Sequence, residues 1–357
     1  MSERLRREIL EEIDREGPIS FARYMELALY HPTDGFFATT PVGLRAHFVT
    51  SPHVSPVFGT LVAALLHDAW TLMEQPQPFD VIEAGAGDGT LARQVLHTAT
   101  TDEAFNAALR YRAVEQGTAA RNALANVGVE AFASLDEAAP FTGCIFANEL
   151  LDNLPFRRVR GSAERVVGRD GDRLVLQDAP LPPDLATARS VPPWPDDVER
   201  TASPAAAAFV ATCARTLERG YVALFDYGFT GDEDVEPVRG YRDQRLVDDV
   251  LAAPGETDVT GPVDFDAVAH AARANGLHAF PIASQRDALM RLGYRRVLDH
   301  LRGEQTRAEK DGDAKRALQL FGARNEAAML VDPAGLGGLK LIVLATKGLP
   351  APVALLD

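Results

Sequence analysis

The chain has 357 residues, 46% of them hydrophobic, which is enough for one large or two modest cores. Its formal net charge is −15, which argues against a surface that follows nucleic-acid phosphates, and its two cysteines are too few for a disulfide framework. No apolar run approaches the roughly 18 residues of a membrane span. The first sixteen residues lack the apolar core of an export signal and are too acidic for a transit peptide, so we expect a cytoplasmic protein.

The first part of the chain is predicted to be helical. An amphipathic helix is expected over residues 3–16, where apolar side chains recur at four-residue spacing. Ser20 is suited to cap a second helix. After a loop over residues 31–50, a long helix is expected to begin near Ser51-Pro52 or Ser55-Pro56 and to reach about Glu74. The histidines of this part show no metal-ligand spacing with carboxylates or cysteines, so we predict no metal site.

The centre of the chain alternates between strand and helix. Buried strands are expected near residues 79–84, 110–115, 127–132, 143–148, 221–226, 277–282 and 340–345. Such alternation predicts an α/β fold with a parallel sheet covered on both faces. Residues 157–176 instead contain short strands separated by glycine turns, which predicts a small antiparallel insertion. A proline-rich loop is expected over 179–196, and mainly helix over 285–330.

A glycine-rich turn follows the first of these strands. Residues 83–89 read Glu-Ala-Gly-Ala-Gly-Asp-Gly, a G-x-G-x-G spacing, whereas dinucleotide binding would need a glycine where Thr90 stands. Gly85 and Gly87 let the backbone turn sharply and approach a ligand. An acidic residue leading this tighter turn is typical of S-adenosylmethionine (SAM) sites in Rossmann-like methyltransferases. The alternative is a tight turn of any α/β domain.

Several separate segments resemble, in order, the MidA-like family of SAM-dependent methyltransferases, which includes the mitochondrial complex I assembly factor. The likeness is carried by His31-Pro32 with Gly35-Phe36-Phe37, Phe48–Pro52 with Phe58-Gly59, the turn at 83–89, Asn148–Pro155, Asp226-Tyr227-Gly228, Pro254–Thr260 with Val263-Asp264-Phe265, and Gln285 with Leu292-Gly293. Three positions depart from the family pattern: Asn153 replaces alanine, residues 240–245 lack a histidine, and Leu336-Gly337 replaces methionine-glycine.

The resemblance implies a Rossmann-like class I methyltransferase with a helical N-terminal extension and inserted substrate-recognition segments. The extension is expected over residues 1–78. The SAM-binding core is expected over residues 79–156, 217–230, 276–284 and 338–348. The insertions that recognise substrate are expected over residues 157–216, 231–275 and 285–337. The long amphipathic helices of the insertions are expected either to form a homodimer interface or to cover the core.

The cofactor implied is SAM, with S-adenosylhomocysteine as product. Gly85 and Gly87 are expected at the methionine carboxylate, since free N–H groups at a helix start suit anions. Further cofactor contacts are assigned to Glu83 for the amino group, Glu115 for the ribose, Ser134 and Leu135 for the adenine edge, and Asn148 for the methionine moiety. Thr50 and Ser51 are expected either to reach the cofactor or only to cap a helix.

The methyl acceptor is expected to meet the segment after the fourth strand. Glu149 and Asp152 are predicted to hold it, with Asn148 and Tyr227 completing the catalytic site. A pair of carboxylates can position a guanidinium by charge-assisted hydrogen bonds and orient its nitrogen at the methyl group. The alternatives are that Asp152 only caps a turn and that Tyr227 belongs to the core.

The family resemblance implies that the acceptor is an arginine side chain of a protein. Two alternatives remain open from the sequence. One is a methyltransferase that acts on a hydroxyl or amine of a small molecule, and the other is an assembly factor that binds SAM without turnover. Nucleic acid is the least expected partner, given the acidic charge.

Overall fold

The structure is a computed structural model that describes residues 2–39, 50–138, 140–183, 185, 198–231, 233–234, 237–243 and 245–356. The chain divides into two compact units, each built from three separate stretches of sequence. Unit 1 comprises Met1–Phe48, Glu149–Thr212 and Asp226–Asn275, and unit 2 comprises Val49–Asn148, Cys213–Phe225 and Gly276–Asp357.

The helices, in chain order, are α1 (Ser2–Glu16), α2 (Phe21–Tyr30), α3 (Phe36–Thr39), α4 (Ser51–Val54), α5 (Pro56–Leu72), α6 (Thr90–Ala99), α7 (Glu103–Ala108), α8 (Thr118–Asn126), α9 (Pro204–Thr216), α10 (Phe265–Ala274), α11 (Gln285–Arg291), α12 (Tyr294–Lys310) and α13 (Ala314–Met329). No helix among the described residues is both long enough and apolar enough to span a membrane.

The strands are β1 (Ile19–Ser20), β2 (Phe79–Ala84), β3 (Leu109–Val114), β4 (Glu130–Phe132), β5 (Phe141–Asn148), β6 (Arg157–Arg160), β7 (Ala163–Asp170), β8 (Arg173–Pro180), β9 (Glu199–Ala202), β10 (Leu217–Asp226), β11 (Gly228–Phe229), β12 (Arg239–Arg242), β13 (Arg245–Val247), β14 (Asp258–Thr260), β15 (Val263–Asp264), β16 (His278–Ala279), β17 (Ala283–Ser284) and β18 (Lys340–Ala345).

Unit 2 is organised around a mixed sheet of strand order β16-β18-β10-β5-β2-β3-β4, with β17 also paired to β18. The strands β4, β3, β2, β5 and β10 are parallel neighbours, which confirms the predicted parallel sheet. All six residues of β2 are buried, as expected for a central strand covered on both faces. The chain order reverses between β2 and β5. In open α/β sheets, ligands bind beyond the carboxyl ends of the strands at such a reversal.

Helices α5 and α6 of unit 2 approach each other closely because Gly59 has no side chain. A Cβ on Gly59 would lie 2.2 Å from the Cβ of Gln94. The side-chain amide of Gln94 donates to the carbonyl of Pro52 (2.8 Å), which ties α6 to α4. These contacts fix the N-terminal end of α6, the helix that begins directly after the glycine turn.

Unit 1 contains an antiparallel sheet of order β1-β7-β6-β9, with β8 paired to β7. The predicted antiparallel insertion over 157–176 is therefore confirmed, and its last strand, β8, extends to Pro180. Helices α1 and α2 share a core with this sheet, and the ring of Phe21 stacks on that of Phe156 at 5.5 Å between centroids.

Several predicted boundaries differ from the structure. The long helix starts at the second of its two predicted positions, since the side chain of Ser55 accepts from the amide of Val57 and caps α5, and it ends at Leu72, before the predicted end near Glu74. The helical stretch 285–330 is broken at Gly293 and Gly312, both with positive φ. The predicted loop 31–50 contains α3, and its residues 40–49 lie outside the described residues. Most of the predicted proline-rich loop, residues 184 and 186–197, also lies outside them.

Candidate active site

The glycine turn of unit 2 joins the central strand to a helix. Gly85, Gly87 and Gly89 have φ of 72°, 56° and 74°, the left-handed region that favours glycine. The amide of Gly85 donates to the carbonyl of Val114 (2.9 Å), which holds the turn against the end of β3. Gly89 directly precedes α6, so the positive end of that helix faces the turn.

Glu83 is buried at the end of β2, with 4% of its surface exposed. The hydroxyl of Tyr111 donates to its Oε2 at 2.9 Å. Burial, together with the nearby charges of Glu115 and Asp88, raises the pKa of Glu83 to about 8, although the Tyr111 hydrogen bond acts in the opposite direction. Ionisation of this buried carboxyl is therefore unfavourable unless a cation binds next to it.

Glu115 follows β3 and supports the glycine turn directly. Its Oε2 accepts from the amide of Gly87 (3.0 Å) and its Oε1 from the amide of Gly117 (3.2 Å). A carboxylate has about four acceptor positions, so each oxygen keeps capacity for a further donor such as a ribose hydroxyl. Glu115, predicted to bind the ribose of the cofactor, is thus hydrogen-bonded to the turn that is predicted to bind its methionine carboxylate.

Thr50 and Ser51 do not cap α5, because Ser55 occupies that position. The hydroxyl of Thr50 lies 2.9 Å from Nδ1 of His53, and Nε2 of His53 lies 3.3 Å from Asp88 in the glycine turn. Burial alone would raise the pKa of Asp88, but hydrogen bonds from His53 and from Thr90 outweigh it and lower that pKa. Thr50 is therefore linked to the glycine turn through His53.

Ser51 is fully buried, and its hydroxyl donates to the side-chain oxygen of Gln285 (3.3 Å). The amide of Gln285 in turn donates to the carbonyl of Leu330 (3.0 Å). This chain of contacts gives Ser51 and Gln285 a packing role within unit 2.

Ser134, Leu135 and Asn148 occupy three further positions in unit 2. Ser134 accepts from the amide of Asp136 (3.2 Å) and caps a short 3₁₀ turn that follows β4, and Leu135 in that turn is buried. Asn148 is the last residue of β5, the strand next to β2 on the side where the strand order reverses.

The residues after β5 belong to unit 1 and form a turn held by a carboxylate. Glu149 has φ of 52°, a left-handed conformation that costs a non-glycine residue on the order of 1–3 kcal/mol. Oδ2 of Asp226 accepts from the amides of Leu150 (3.0 Å), Leu151 (2.7 Å) and Asp152 (3.4 Å). Asp226 therefore offsets the strain at Glu149. We call residues 149–152 the acidic turn.

Three buried carboxyl groups lie in or next to the acidic turn. Asp152, Asp226 and Asp258 are 9%, 1% and 8% exposed. Burial, followed by the charges of Asp226, Glu149 and Asp258, raises the pKa of Asp152 well above the usual range. Burial, followed by the charge of Glu149, does the same for Asp226, and burial raises the pKa of Asp258 to about 6. Oδ1 of Asp152 has no hydrogen-bond partner among the described residues, whereas Asp258 accepts from the side-chain amide of Asn153 (2.9 Å).

Several other buried acids of the described residues are paired with arginine. Asp80 lies 2.9 Å from the guanidinium of Arg112, and Glu164 is paired with Arg157. Within the part of the chain that the structure describes, no cation pairs with Asp152, Asp226 or Asp258. Buried charge is normally paired, so this cluster departs from the usual arrangement.

Tyr227 follows Asp226 and is half-buried. Its amide donates to Oδ1 of Asp226 (2.8 Å), and its carbonyl accepts from the amide of Val263 (2.9 Å). The guanidinium of Arg239 lies 6.0 Å from the centre of the Tyr227 ring, and the hydroxyl is buried without a hydrogen-bond partner among the described residues. The backbone of Tyr227 thus builds the acid cluster, while its hydroxyl is available to a ligand.

Comparison with known proteins places the chain in a class. Residues 61–283 match the family described as "Putative S-adenosyl-L-methionine-dependent methyltransferase", and the chain belongs to that family. The predicted MidA-like identity, the Rossmann-like fold and the SAM cofactor are confirmed. The protein is a SAM-dependent methyltransferase.

Individual relatives narrow the position of the chain within the family. It is 28% identical over 324 residues to the mitochondrial protein arginine methyltransferase NDUFAF7 homolog of Drosophila melanogaster, covering 76% of this chain and 70% of that protein. It is 24% identical over 371 residues to the NDUFAF7 of Mus musculus, covering 93% and 81%. A superfamily member from Burkholderia thailandensis bound to S-adenosyl-homocysteine superposes with a TM-score of 0.83 at 26% identity, covering 99% of this chain and 94% of that one.

The predicted cytoplasmic location is wrong by the same comparison, since these curated relatives are mitochondrial proteins. The prediction relied on the composition of the first sixteen residues. Those residues form α1, and its apolar face at Leu5, Ile9 and Ile13 is buried in the core of unit 1. The spacing of their apolar side chains therefore reflects packing in the fold.

The residues of unit 2 fit the cofactor. An α-amino group at Glu83 would supply the cation that this buried carboxyl lacks, and Glu115 retains acceptor capacity for ribose hydroxyls. His53, Asp88 and Tyr111 were not assigned a role from the sequence. The acidic residue inside the glycine turn was the available signal for Asp88, but nothing in the sequence pairs Tyr111 with Glu83.

Proposed function

We propose that this methyltransferase transfers the SAM methyl group to a guanidinium nitrogen of an arginine side chain in a protein. The observation that carries the proposal is the cluster of buried, unpaired carboxyl groups around the acidic turn. The names of the curated relatives, which are protein arginine methyltransferases, support the same acceptor. The net charge of −15 favours a cationic protein partner over nucleic acid.

A guanidinium is the group that would neutralise this cluster. It carries a permanent charge and five N–H donors in a planar arrangement that matches carboxylate oxygens. Asp152 offers a buried oxygen without a donor. A neutral hydroxyl acceptor would leave the repulsion between Asp152 and Asp226 in place, whereas a bound guanidinium would let both ionise.

Each residue then has a distinct task. Glu149 and Asp152 hold the guanidinium and set its orientation, and Asn148, the residue before Glu149, contacts the methionine moiety of the cofactor. Tyr227 directs its hydroxyl to the acceptor. When bound, SAM supplies an electrophilic methyl group. The acceptor nitrogen gains this methyl group and loses one proton, which a carboxylate of the acidic turn receives.

Tritium labelling of a protein extract tests this proposal. Purified enzyme and [methyl-³H]SAM are incubated with the extract, and the product is separated into protein and small-molecule fractions. Acid hydrolysis of the protein fraction should release labelled methylarginine. Glu149→Gln and Asp152→Asn should reduce the label at least 100-fold while retaining SAM binding in titration calorimetry, because unit 2 is unchanged.

Asp266→Asn is a matched control, since Asp266 is an acid of unit 1 that accepts a single backbone amide, that of Gly231. It should retain labelling. Label confined to the small-molecule fraction would replace the arginine proposal by a metabolite methyltransferase. Absence of label in both fractions, with SAM bound, would identify a binding protein without turnover.

A further inference from the structure

Asp258, the first residue of β14 in unit 1, is a buried acid that forms no ion pair within the described residues. On the neighbouring strand β12, Tyr241 lies opposite Asp258, and the guanidinium of Arg239 lies over the ring of Tyr227. A neutral side chain at position 258 could accept the same hydrogen bond from Asn153 without the cost of burying a charge. Packing of β14 therefore does not explain why this position carries an acid.

The side chain of Asn153 joins Asp258 to the segment that follows the acidic turn. Its amide nitrogen donates to Oδ1 of Asp258 (2.9 Å) and to the carbonyl of Val259 (3.1 Å). The reverse orientation of the amide is unfavourable, because its oxygen would then face these two acceptors. Both N–H groups of the Asn153 side chain are thus used to hold β14.

Two backbone carbonyls fix the same segment. The amide of Gly261, just after β14, donates to the carbonyl of Asp152 (3.0 Å). The hydroxyl of Tyr30 in α2 donates to the carbonyl of Asn153 (3.1 Å). Asp152 and Asp258 therefore belong to one hydrogen-bonded network, and the charge of Asp258 acts on Asp152.

This network leaves capacity on both acids for a shared ligand. Within the described residues, Oδ2 of Asp258 accepts no hydrogen bond, and it is not fully buried. Oδ1 of Asp152 also lacks a donor there. A planar guanidinium carries five N–H groups, so it can donate to two carboxylates at the same time.

The two acids ionise at different pH. Burial raises the pKa of Asp258 to about 6 against the lowering effect of the Asn153 hydrogen bond. Burial and the charges of neighbouring acids raise the pKa of Asp152 well above the usual range. At neutral pH, an approaching cation therefore meets the charge of Asp258 first, and Asp152 ionises once the cation is in place.

We propose that Asp258 is a third carboxylate that binds the acceptor guanidinium, and that Asn153 is the positioning residue that holds it. This inference rests on the proposed function, because it assigns a further contact to the same arginine side chain. Asp258 supplies the charge that attracts the acceptor, and Glu149 and Asp152 orient its nitrogen.

Tritium labelling at a series of extract-protein concentrations tests the proposal, since it yields a half-saturating concentration and a limiting rate. Asp258→Asn retains an acceptor for the Asn153 amide. It should raise the half-saturating concentration about tenfold or more, because a charged hydrogen bond is lost, and change the limiting rate less than about threefold.

The stability of Asp258→Asn separates a binding role from a structural one. The pKa of Asp258 is about 6 in the folded protein and 3.8 for the ordinary side chain, so the ionised acid destabilises the fold above pH 6. The melting temperature of the variant at pH 8 should therefore equal or exceed that of wild type. A lower melting temperature would indicate that the acid is there for the fold and would overturn the proposal.

Asn153→Ala tests the positioning role. It should raise the half-saturating concentration about threefold to tenfold and leave the limiting rate unchanged, because Asp258 keeps its charge but loses its fixed orientation. The double variant should be no weaker than Asp258→Asn alone, since Asn153 acts through Asp258. Additive losses would overturn the assignment of Asn153. Glu256→Gln is the matched control: Glu256 is an exposed acid two positions from Asp258, and its variant should label like wild type.

Failure of this inference can be distinguished from failure of the proposed function. Wild type that labels no protein arginine would overturn both. Wild type that labels arginine, with the half-saturating concentration unchanged in Asp258→Asn, would overturn only the role of Asp258. Melting curves check that each variant is folded.

Discussion

Both units of this protein bury carboxyl groups that no described arginine or lysine neutralises, but they hold them in different ways. In unit 2, Glu83 accepts a hydrogen bond from one hydroxyl among the described residues, that of Tyr111. In unit 1, the charges of Asp226, Glu149 and Asp258 add to the effect of burial on the pKa of Asp152, and Asp226 is also the acceptor for three backbone amides of the acidic turn. The single carboxyl suits an amino group, whereas the cluster suits a larger, more widely charged cation.

The two sites also differ in how far apart their residues lie in the sequence. The predicted cofactor residues Glu83, Gly85 and Gly87 lie within five consecutive positions of the chain. The acid cluster brings together Asp152, Asp226 and Asp258, which are far apart in the sequence, so its geometry depends on the folding of unit 1. Substitutions should therefore affect ligand binding in unit 2 and both folding and activity in unit 1.

The largest effect is expected for Asp226→Ala. Three amides of the acidic turn would lose their acceptor while Glu149 kept its strained φ, so the free energy of unfolding should fall by about 3 kcal/mol. Methyl transfer should fall at least 100-fold at temperatures where the variant is folded. Chemical denaturation and the tritium assay measure the two losses.

Asp226→Asn retains one acceptor oxygen and should recover part of the stability. If Asp226→Ala were as stable as wild type, the strain at Glu149 would need another source of compensation, and the contrast between the two units would disappear.

The next largest effect is expected for Glu83→Gln. Loss of a charge-assisted hydrogen bond should weaken SAM binding roughly 10- to 100-fold in titration calorimetry. Glu130→Gln, on the exposed part of β4, is the control and should bind normally.

Although Glu83→Gln should weaken SAM binding, it should not lower the stability of the folded protein. The folded protein keeps the Glu83 proton up to a pKa of about 8, while an unfolded glutamate ionises near 4.5, so this residue destabilises the fold progressively as pH rises between those values. The melting temperature of the variant at pH 8 should therefore equal or exceed that of wild type. A lower melting temperature would show that Glu83 has a structural role.

The sequence predicted unit 2 more fully than unit 1 for a physical reason. Alternating strand and helix patterns and the turn at 83–89 are local, so periodicity located β2, β3, β5 and β18 to within two residues. The short strands β11 to β15 have two to four residues and little pattern, and they form only where tertiary pairing holds them.

The same distinction applies to the candidate site. Glu149, Asp152 and Tyr227 came from motifs, and the structure brings them together around Asp226. The role of Asp226 as the acceptor for the acidic turn, and the pairing of Asn153 with Asp258, depend on contacts across 74 to 105 positions, which no local pattern contains. Asn153, which departs from the family alanine, thus has a partner in the acid cluster.

A smaller effect is expected from pH on cofactor binding. Glu83 is protonated before an amino group binds and ionised afterwards, so binding releases a proton below the Glu83 pKa of about 8. Affinity for S-adenosylhomocysteine should rise about threefold to tenfold per pH unit between pH 6 and 7.5, and the rise should be absent in Glu83→Gln. Calorimetry in buffers of different ionisation enthalpy detects the released proton directly, and equal heats in all buffers would contradict it.

The smallest effect is expected for Ser134→Ala, which tests whether the predicted adenine-edge residue contacts the cofactor through its side chain. In the structure, the Ser134 hydroxyl is already engaged with the amide of Asp136. Loss of this cap should cost about 0.5–1 kcal/mol of stability and change SAM affinity less than threefold. A tenfold loss of affinity at unchanged stability would instead give the hydroxyl a direct role. Recognition of adenine would then depend on the Ser134 side chain and not on the backbone of the 3₁₀ turn. Unit 2 would in that case bind both the amino group and the adenine of its ligand through side chains, as unit 1 is proposed to bind the acceptor.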